Sequence, residues 1–195
     1  MRNFETLLAR GKTIRTAGFD DAPFARRKGG SAPLAGVVCS GTRFEGMVWG
    51  SVRQDGWGAG EEIRRLLVGG KYLPQIHAVL LDGVAFAGLN VVDIEDLSAA
   101  IERPVVAVMR ELPDMGALER VVRRLPRPER RLARIRRAGQ IHVRPPFVFQ
   151  VRGADPDATA EVLARVTDTG HVPEALRLAH LVASGVVLGE SRGRA

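Results

Sequence analysis

The sequence predicts an α/β layered domain, a mixed sheet covered by helices. Three β-rich runs near the start are separated by turn residues, apolar strands then alternate with helical periodicity, and the last third is mostly helical in pattern. Three antiparallel strands followed by parallel βα units would bury the apolar strands on both faces. With 195 residues the chain can close one substantial core, and it reads as a single domain over 1–195 with a polar tail from about residue 189.

Residues 12–19 alternate loosely and end at Asp20 and Asp21 before Pro23, a strand running into a loop that carries two carboxylates. Residues 34–39 and 44–52 are β-rich and separated by Ser40-Gly41-Thr42-Arg43, which predicts a hairpin. From about Gly60 the period becomes helical, with Ile63, Leu66 and Leu67 on one face and Gly69-Gly70 as the stop. His77 to Leu81 is a nearly continuous apolar run ending at Asp82-Gly83, the pattern of a strand covered on both faces. A helix over 91–101, a strand over 104–109 and a helix over 115–125 follow, the last ending before Pro126. Residues 129–137 read as a short basic helix with Leu132 and Ile135 as its apolar contacts, and 147–151 as a strand. Asp155 is a good N-cap for a helix over 156–166, and Pro173-Glu174 opens a last helix reaching about Leu188. In such a sheet the first strand can lie beside the fourth, which would bring Asp20 and Asp82 out at neighbouring strand ends, where open α/β sheets place their chemistry.

Composition removes several classes. Hydrophobic residues make up 45% and charged residues 26%, which excludes overall disorder and fibrous repeats. The first ten residues carry Arg2, Glu5 and Arg10, and the apolar runs are short, so a signal peptide and a membrane span are not expected and the cytoplasm is the expected location. A lone cysteine, Cys39, forms no internal disulfide and no cysteine-rich metal framework; a metal would be held by oxygen atoms or by the four histidines.

The charge is concentrated. Residues 123–137 hold eight arginines against Glu129 alone, which equals the whole net charge of +7. A local positive potential of this kind attracts phosphate polyanions, so Arg127, Arg130, Arg131, Arg134, Arg136 and Arg137 are the candidate nucleic-acid contacts; the competing reading is a solvated helix face. Arg26, Arg27 and Lys28 form a smaller cluster in a Gly/Ser/Pro-rich loop and offer a second phosphate contact. Aromatic residues do not alternate with these arginines, which favours backbone contact over base stacking.

Two aspartates closing adjacent strands raise an electrostatic question. At about 4 Å and an effective dielectric of about 20, like charges repel by roughly 4 kcal/mol. Either one keeps a proton or a hard divalent cation bridges them; Mg2+ suits a few carboxylates with water and phosphate oxygens, and such a site hydrolyses phosphodiesters. The bland alternatives are an ordinary turn at Asp82-Gly83 and an Asx-turn at Asp20-Asp21.

Four segments, Gly18 to Phe24, Leu80 to Asp93, Pro173 to His180 and Gly189 to Arg194, resemble the endonuclease V-related family catalogued as domain of unknown function ninety-nine, and they span nearly the whole chain. The resemblance implies the ribonuclease H-like fold, magnesium dependence and action on nucleic acid, DNA or RNA. It implies Asp20 and Asp82 as the two catalytic, metal-binding aspartates, with Glu61 or Glu62 near the metal-binding glutamate and Glu61 taken as the third ligand. Residues 52–60 lack the tyrosine- and proline-containing wedge of endonuclease V, and Ala154 stands where that enzyme has a histidine. Gly58 and Gly60 replace an aspartate and a threonine of the uncharacterised family. A degenerate nucleic-acid-binding module of the same fold is therefore the alternative to an active nuclease.

The remaining candidates have plainer readings. His180, among Leu178, Leu181 and Val182, reads as a hydrogen-bonded structural histidine. Asp93 suits a helix N-terminus, and Trp49 and Trp57 suit packing, with base stacking the alternative for Trp57.

Overall fold

A computed structural model of the chain describes residues 4–27 and 29–192. In chain order the elements are α1 (Phe4–Ala9), β1 (Arg15–Asp21), β2 (Ser31–Ser40), β3 (Arg43–Arg53), α2 (Ala59–Leu67) and β4 (Ala78–Asp82). A small hairpin of β5 (Ala85–Phe86) and β6 (Asn90–Val91) leads to α3 (Ile94–Ile101), β7 (Val105–Met109), α4 (Met115–Val122) and α5 (Pro128–Arg137). The chain continues through β8 (His142–Arg144), β9 (Phe147–Arg152), α6 (Pro156–Arg165) and α7 (Glu174–Leu188).

Seven strands form one mixed sheet in the order β3-β2-β1-β4-β7-β9-β8. The first strand does lie beside the fourth: β1, β4 and β7 are parallel, and β2 and β3 are antiparallel additions. Each central strand divides its side chains between two layers, as a period of two requires. Ala17, Phe19, Val79, Leu81, Val105 and Ala107 pack toward α2 and α3. Ala78, Leu80, Val106 and Val108 pack toward α1, α6 and Leu176 of α7, which explains why these strands read as unbroken apolar runs.

The structure differs from the sequence-based expectation in three places. The strand over 147–152 returns antiparallel to β7 and is extended by β8, whose three residues are too short and too exposed to show a pattern. The helix expected from Val91 begins at Ile94, because the Asp93 side chain accepts the Asp96 N–H at 3.2 Å while Asn90 and Val91 are drawn into the hairpin. Helix α1 has no counterpart in the expected order; it is six residues long, and it forms because Phe4, Leu7 and Leu8 are buried.

Helix α7 lies almost on β1. A Cβ added to Gly18 would stand 2.5 Å from the Ala175 carbonyl carbon and 2.6 Å from the Leu176 nitrogen, so only glycine permits this approach. Gly18→Ala is expected to push the helix off the sheet and destabilise the protein by about 1–3 kcal/mol; thermal unfolding measures it.

Candidate functional site

The register of β1 against β4 fixes the two aspartates. Gly18 pairs with Leu80 and Phe19 with Leu81, so Asp20 and Asp82 follow side by side on strands about 4.8 Å apart, on the sheet face that α7 covers. Asp20 is buried and Asp82 half-exposed at the strand end. Burial, followed by the negative charge of Asp82, raises the Asp20 carboxyl to about 7, with the His180 hydrogen bond opposing. Burial also raises Asp82, against the pull of Arg110 and His180. Asp21 is raised by burial as well, with an Ala87 N–H donated to it acting in the opposite direction.

His180 belongs to this group rather than to the packing of α7. Its Nδ1 lies 2.8 Å from Asp20 Oδ2, and its Nε2 lies 3.2 Å from the Arg192 carbonyl. A carbonyl only accepts, so Nε2 carries a proton; Nδ1 then either accepts from protonated Asp20 or donates to its carboxylate. One proton is thereby shared between Asp20 and His180. The contact to Arg192 is possible because Gly189 ends α7 with a left-handed φ of 82° and the tail doubles back, with Ser191 Oγ donating to the Leu181 carbonyl at 2.8 Å. Arg110, at the end of β7, places Nη2 3.6 Å from Asp82 Oδ2, an ion pair looser than a hydrogen bond, with half its side chain exposed.

Glu61 does not join them. Ala59, Ile63 and Leu67 form the buried stripe of α2, and Glu61 points elsewhere, lining a groove with Arg64, Asp93, Asp96, Leu97 and Arg134. Neighbouring Glu62 accepts the Ser51 N–H and pairs with Arg65. Among the described residues, no three His, Cys, Asp or Glu form a set that could cage a metal.

The arginine segment is largely structural. Arg131 is fully buried; its guanidinium donates to the Gly56, Leu89 and Asp55 carbonyls and lies 4.3 Å from the Trp57 ring centroid. Arg134 donates to the Trp57 and Val91 carbonyls, and Arg137 pairs with Asp93, Glu95 and Asp96. These three fasten α5 to the loop after β3, to the hairpin and to α3, and Arg131, expected as a phosphate contact, is instead buried and bonded to backbone carbonyls. Arg127, Arg130 and Arg136 remain exposed, Arg130 over Trp57. Trp57 is thus a packing residue held among arginines, and Asp93 is a helix cap. Lys28 lies outside the described residues.

Comparison with solved structures places this fold. The chain superposes on endonuclease V from Ciona intestinalis, solved with a 24mer DNA containing an inosine followed by a ribo-adenosine, with a TM-score of 0.60 at 15% identity over 92% of this chain and 88% of that one. The catalytic domain of human endonuclease V gives 0.59 at 14% identity, covering 97% of this chain and 89% of that one. The architecture is that of endonuclease V, a ribonuclease H-like mixed sheet.

Sequence likeness is narrower. The family described as Endonuclease dU matches residues 12–187, and the chain belongs to it. A UPF0215 protein of Methanothermobacter thermautotrophicus is 42% identical over 187 residues, covering 93% of this chain and 92% of that protein. A UPF0215 protein of Deinococcus radiodurans is 36% identical over 178 residues, covering 91% of each. A protein of unknown function from Archaeoglobus fulgidus matches in structure with a TM-score of 0.84 at 31% identity, over 89% of this chain and 98% of that one. The resemblance read from the four segments is borne out at the level of family and fold. Among the described residues, no helix is long and apolar enough to cross a membrane.

Proposed function

We propose that this protein is a metal-assisted phosphodiester hydrolase acting on DNA, with Asp20 and Asp82 as the ion-holding carboxylates. The observation that carries this reading is their position side by side at the ends of two parallel strands, with His180 on Asp20 and Arg110 on Asp82.

The donor set suits magnesium. Two hard carboxylates with raised pKa values, Asp20 pushed up in part by the charge of Asp82, favour a cation, and an ion with few protein ligands keeps waters and takes up phosphate oxygens. When bound there, the ion would polarise the phosphodiester and lower the pKa of the attacking water. The chain's own residues do the rest. His180 orients Asp20 through Nδ1 and holds the proton the pair shares, while the Arg192 carbonyl holds the ring through Nε2. Arg110 presents guanidinium donors beside Asp82, matched to phosphate oxygens and to the charge that builds on them during displacement.

The family's description names the first substrate to try, DNA carrying deoxyuridine. A labelled duplex with one deoxyuridine, incubated with wild type and Asp82→Asn at millimolar Mg2+, is expected to be nicked by wild type alone. Absence of cleavage by wild type on deoxyuridine, inosine and unmodified DNA or RNA would leave a binding module.

A further inference from the structure

The arginines of α5 that secure the fold leave the question of what holds the nucleic-acid backbone. The loop between β1 and β2 answers it with residues of a different kind. Arg26 and Arg27 are exposed on this loop, and Arg53 is exposed at the end of β3. A Cβ at Gly29 would lie 3.6 Å from Arg53 Nη2, so the Arg53 guanidinium stands over the loop. Among the described residues, none of the three makes an ion pair with a carboxylate, whereas Arg137 is committed to three.

The loop is also held in place. Gln54 Oε1 accepts the Arg27 N–H at 3.0 Å, Gln54 Nε2 donates to the Ala25 carbonyl at 3.0 Å, and the Gln54 N–H donates to the Gly30 carbonyl at 2.8 Å. The Gly30 N–H closes the turn on the Arg27 carbonyl at 2.9 Å. One glutamine adjoining Arg53 thus fixes the backbone that carries Arg26 and Arg27, which reduces the ordering cost of binding. The loop leaves β1 immediately after Asp20 and Asp21, and the Ala22 N–H is bonded to the Pro33 carbonyl at 2.9 Å, so its root is rigid against the carboxylates. Ser31, opposite Arg53, lies three residues from Leu34, the partner of Asp21, or roughly 10 Å along the strand. Arg53 also lies two strand spacings to the side of β1, so the grip stands roughly 14 Å from the carboxylate end, about four rises of a duplex strand.

We infer that Arg26, Arg27 and Arg53, set by Gln54, form the phosphate grip for the substrate strand a few nucleotides from the scissile bond. This rests on the nuclease reading above and adds to it where the backbone is held and by which side chains. Phosphates recognised in this way carry no base information, so the grip supplies affinity and register, and base choice is made elsewhere.

The test is binding of a fluorescent 24-base-pair deoxyuridine duplex, followed by anisotropy across a salt series in EDTA, with Asp82→Asn as the parent to prevent cleavage. Arg26→Gln/Arg27→Gln/Arg53→Gln on that parent is expected to weaken binding about tenfold to a hundredfold and to lower the log–log salt slope by about 2–3, near 0.9 for each phosphate no longer neutralised. Arg127→Gln/Arg130→Gln/Arg136→Gln removes the same charge from α5 and is expected to change the slope by less than about one. Gln54→Ala, which removes no charge, is expected to raise Kd severalfold at an unchanged slope. A loop triple variant that keeps the parent's Kd and slope, or an α5 triple that weakens binding more than the loop triple does, overturns the assignment and leaves the nuclease reading standing. A parent that binds no duplex at all overturns both.

Discussion

Asp20→Asn is expected to stabilise the metal-free protein at pH 8 while abolishing cleavage. The Asp20 carboxyl, ordinarily near 3.8, is raised to about 7 in the folded chain by burial and by Asp82. Below about pH 4 the group is protonated in both states and has no effect. Between about 4 and 7 the unfolded chain ionises while the folded one keeps its proton, so stability falls as pH rises, and above 7 the full penalty is present. At about 1.4 kcal/mol per pH unit, the penalty is on the order of 4 kcal/mol. Urea unfolding in EDTA at pH 5 and pH 8 should show wild type losing stability over that interval and Asp20→Asn losing much less. Asparagine keeps the size and offers no negative charge to an ion, so kcat/KM should drop at least about a thousandfold. Equal pH dependence in the two proteins would remove the electrostatic account of the site. A stabilising substitution at an essential residue is the signature of a group held in an unfavourable state for the sake of chemistry.

Arg131→Ala is expected to be the most damaging single change outside the site, at about 3–5 kcal/mol. It would leave the Asp55, Gly56 and Leu89 carbonyls without their donor and remove the cation from the face of Trp57. Those carbonyls belong to the loop after β3 and the hairpin after Asp82, so both segments should loosen together. Chemical denaturation reads the energy, and hydrogen exchange at residues 55–57 and 89–91 should rise. Arg130→Ala, one position away and exposed, should cost less than about 1 kcal/mol.

The contrast between these neighbours shows what the amino-acid sequence could and could not disclose. The placement of Asp20 and Asp82 was legible because Asp82 ends an apolar run and Asp20 follows a loosely alternating one, each pattern marking a strand and the end where its polar residue emerges. The neighbouring placement of the first and fourth strands followed from the element order. His180 was not legible as a site residue: 160 positions separate it from Asp20, and nothing local distinguishes a histidine aimed at a carboxylate from one aimed at a backbone carbonyl. Arginine counting met a related limit. A run of cations gives the sign of the potential, but whether a guanidinium faces water or three carbonyls depends on which face of α5 packs, and Leu132 and Ile135 bury the turn that contains Arg131. Glu61 does not reach the carboxylates because the buried stripe of Ala59, Ile63 and Leu67 sets which face of α2 packs, and Glu61 lies off that face, lining a separate groove.

The contact between Asp20 and His180 also sets an order of events during synthesis. The aspartate leaves the ribosome 160 residues before its imidazole partner, and the carbonyl of Arg192 that steadies the ring follows 12 residues later still. A nascent chain can lay down β1 and β4 and hold both acids with nothing to share their proton. The pair closes only when α7 docks over Gly18, so a polypeptide halted before α7 holds both acids without their imidazole.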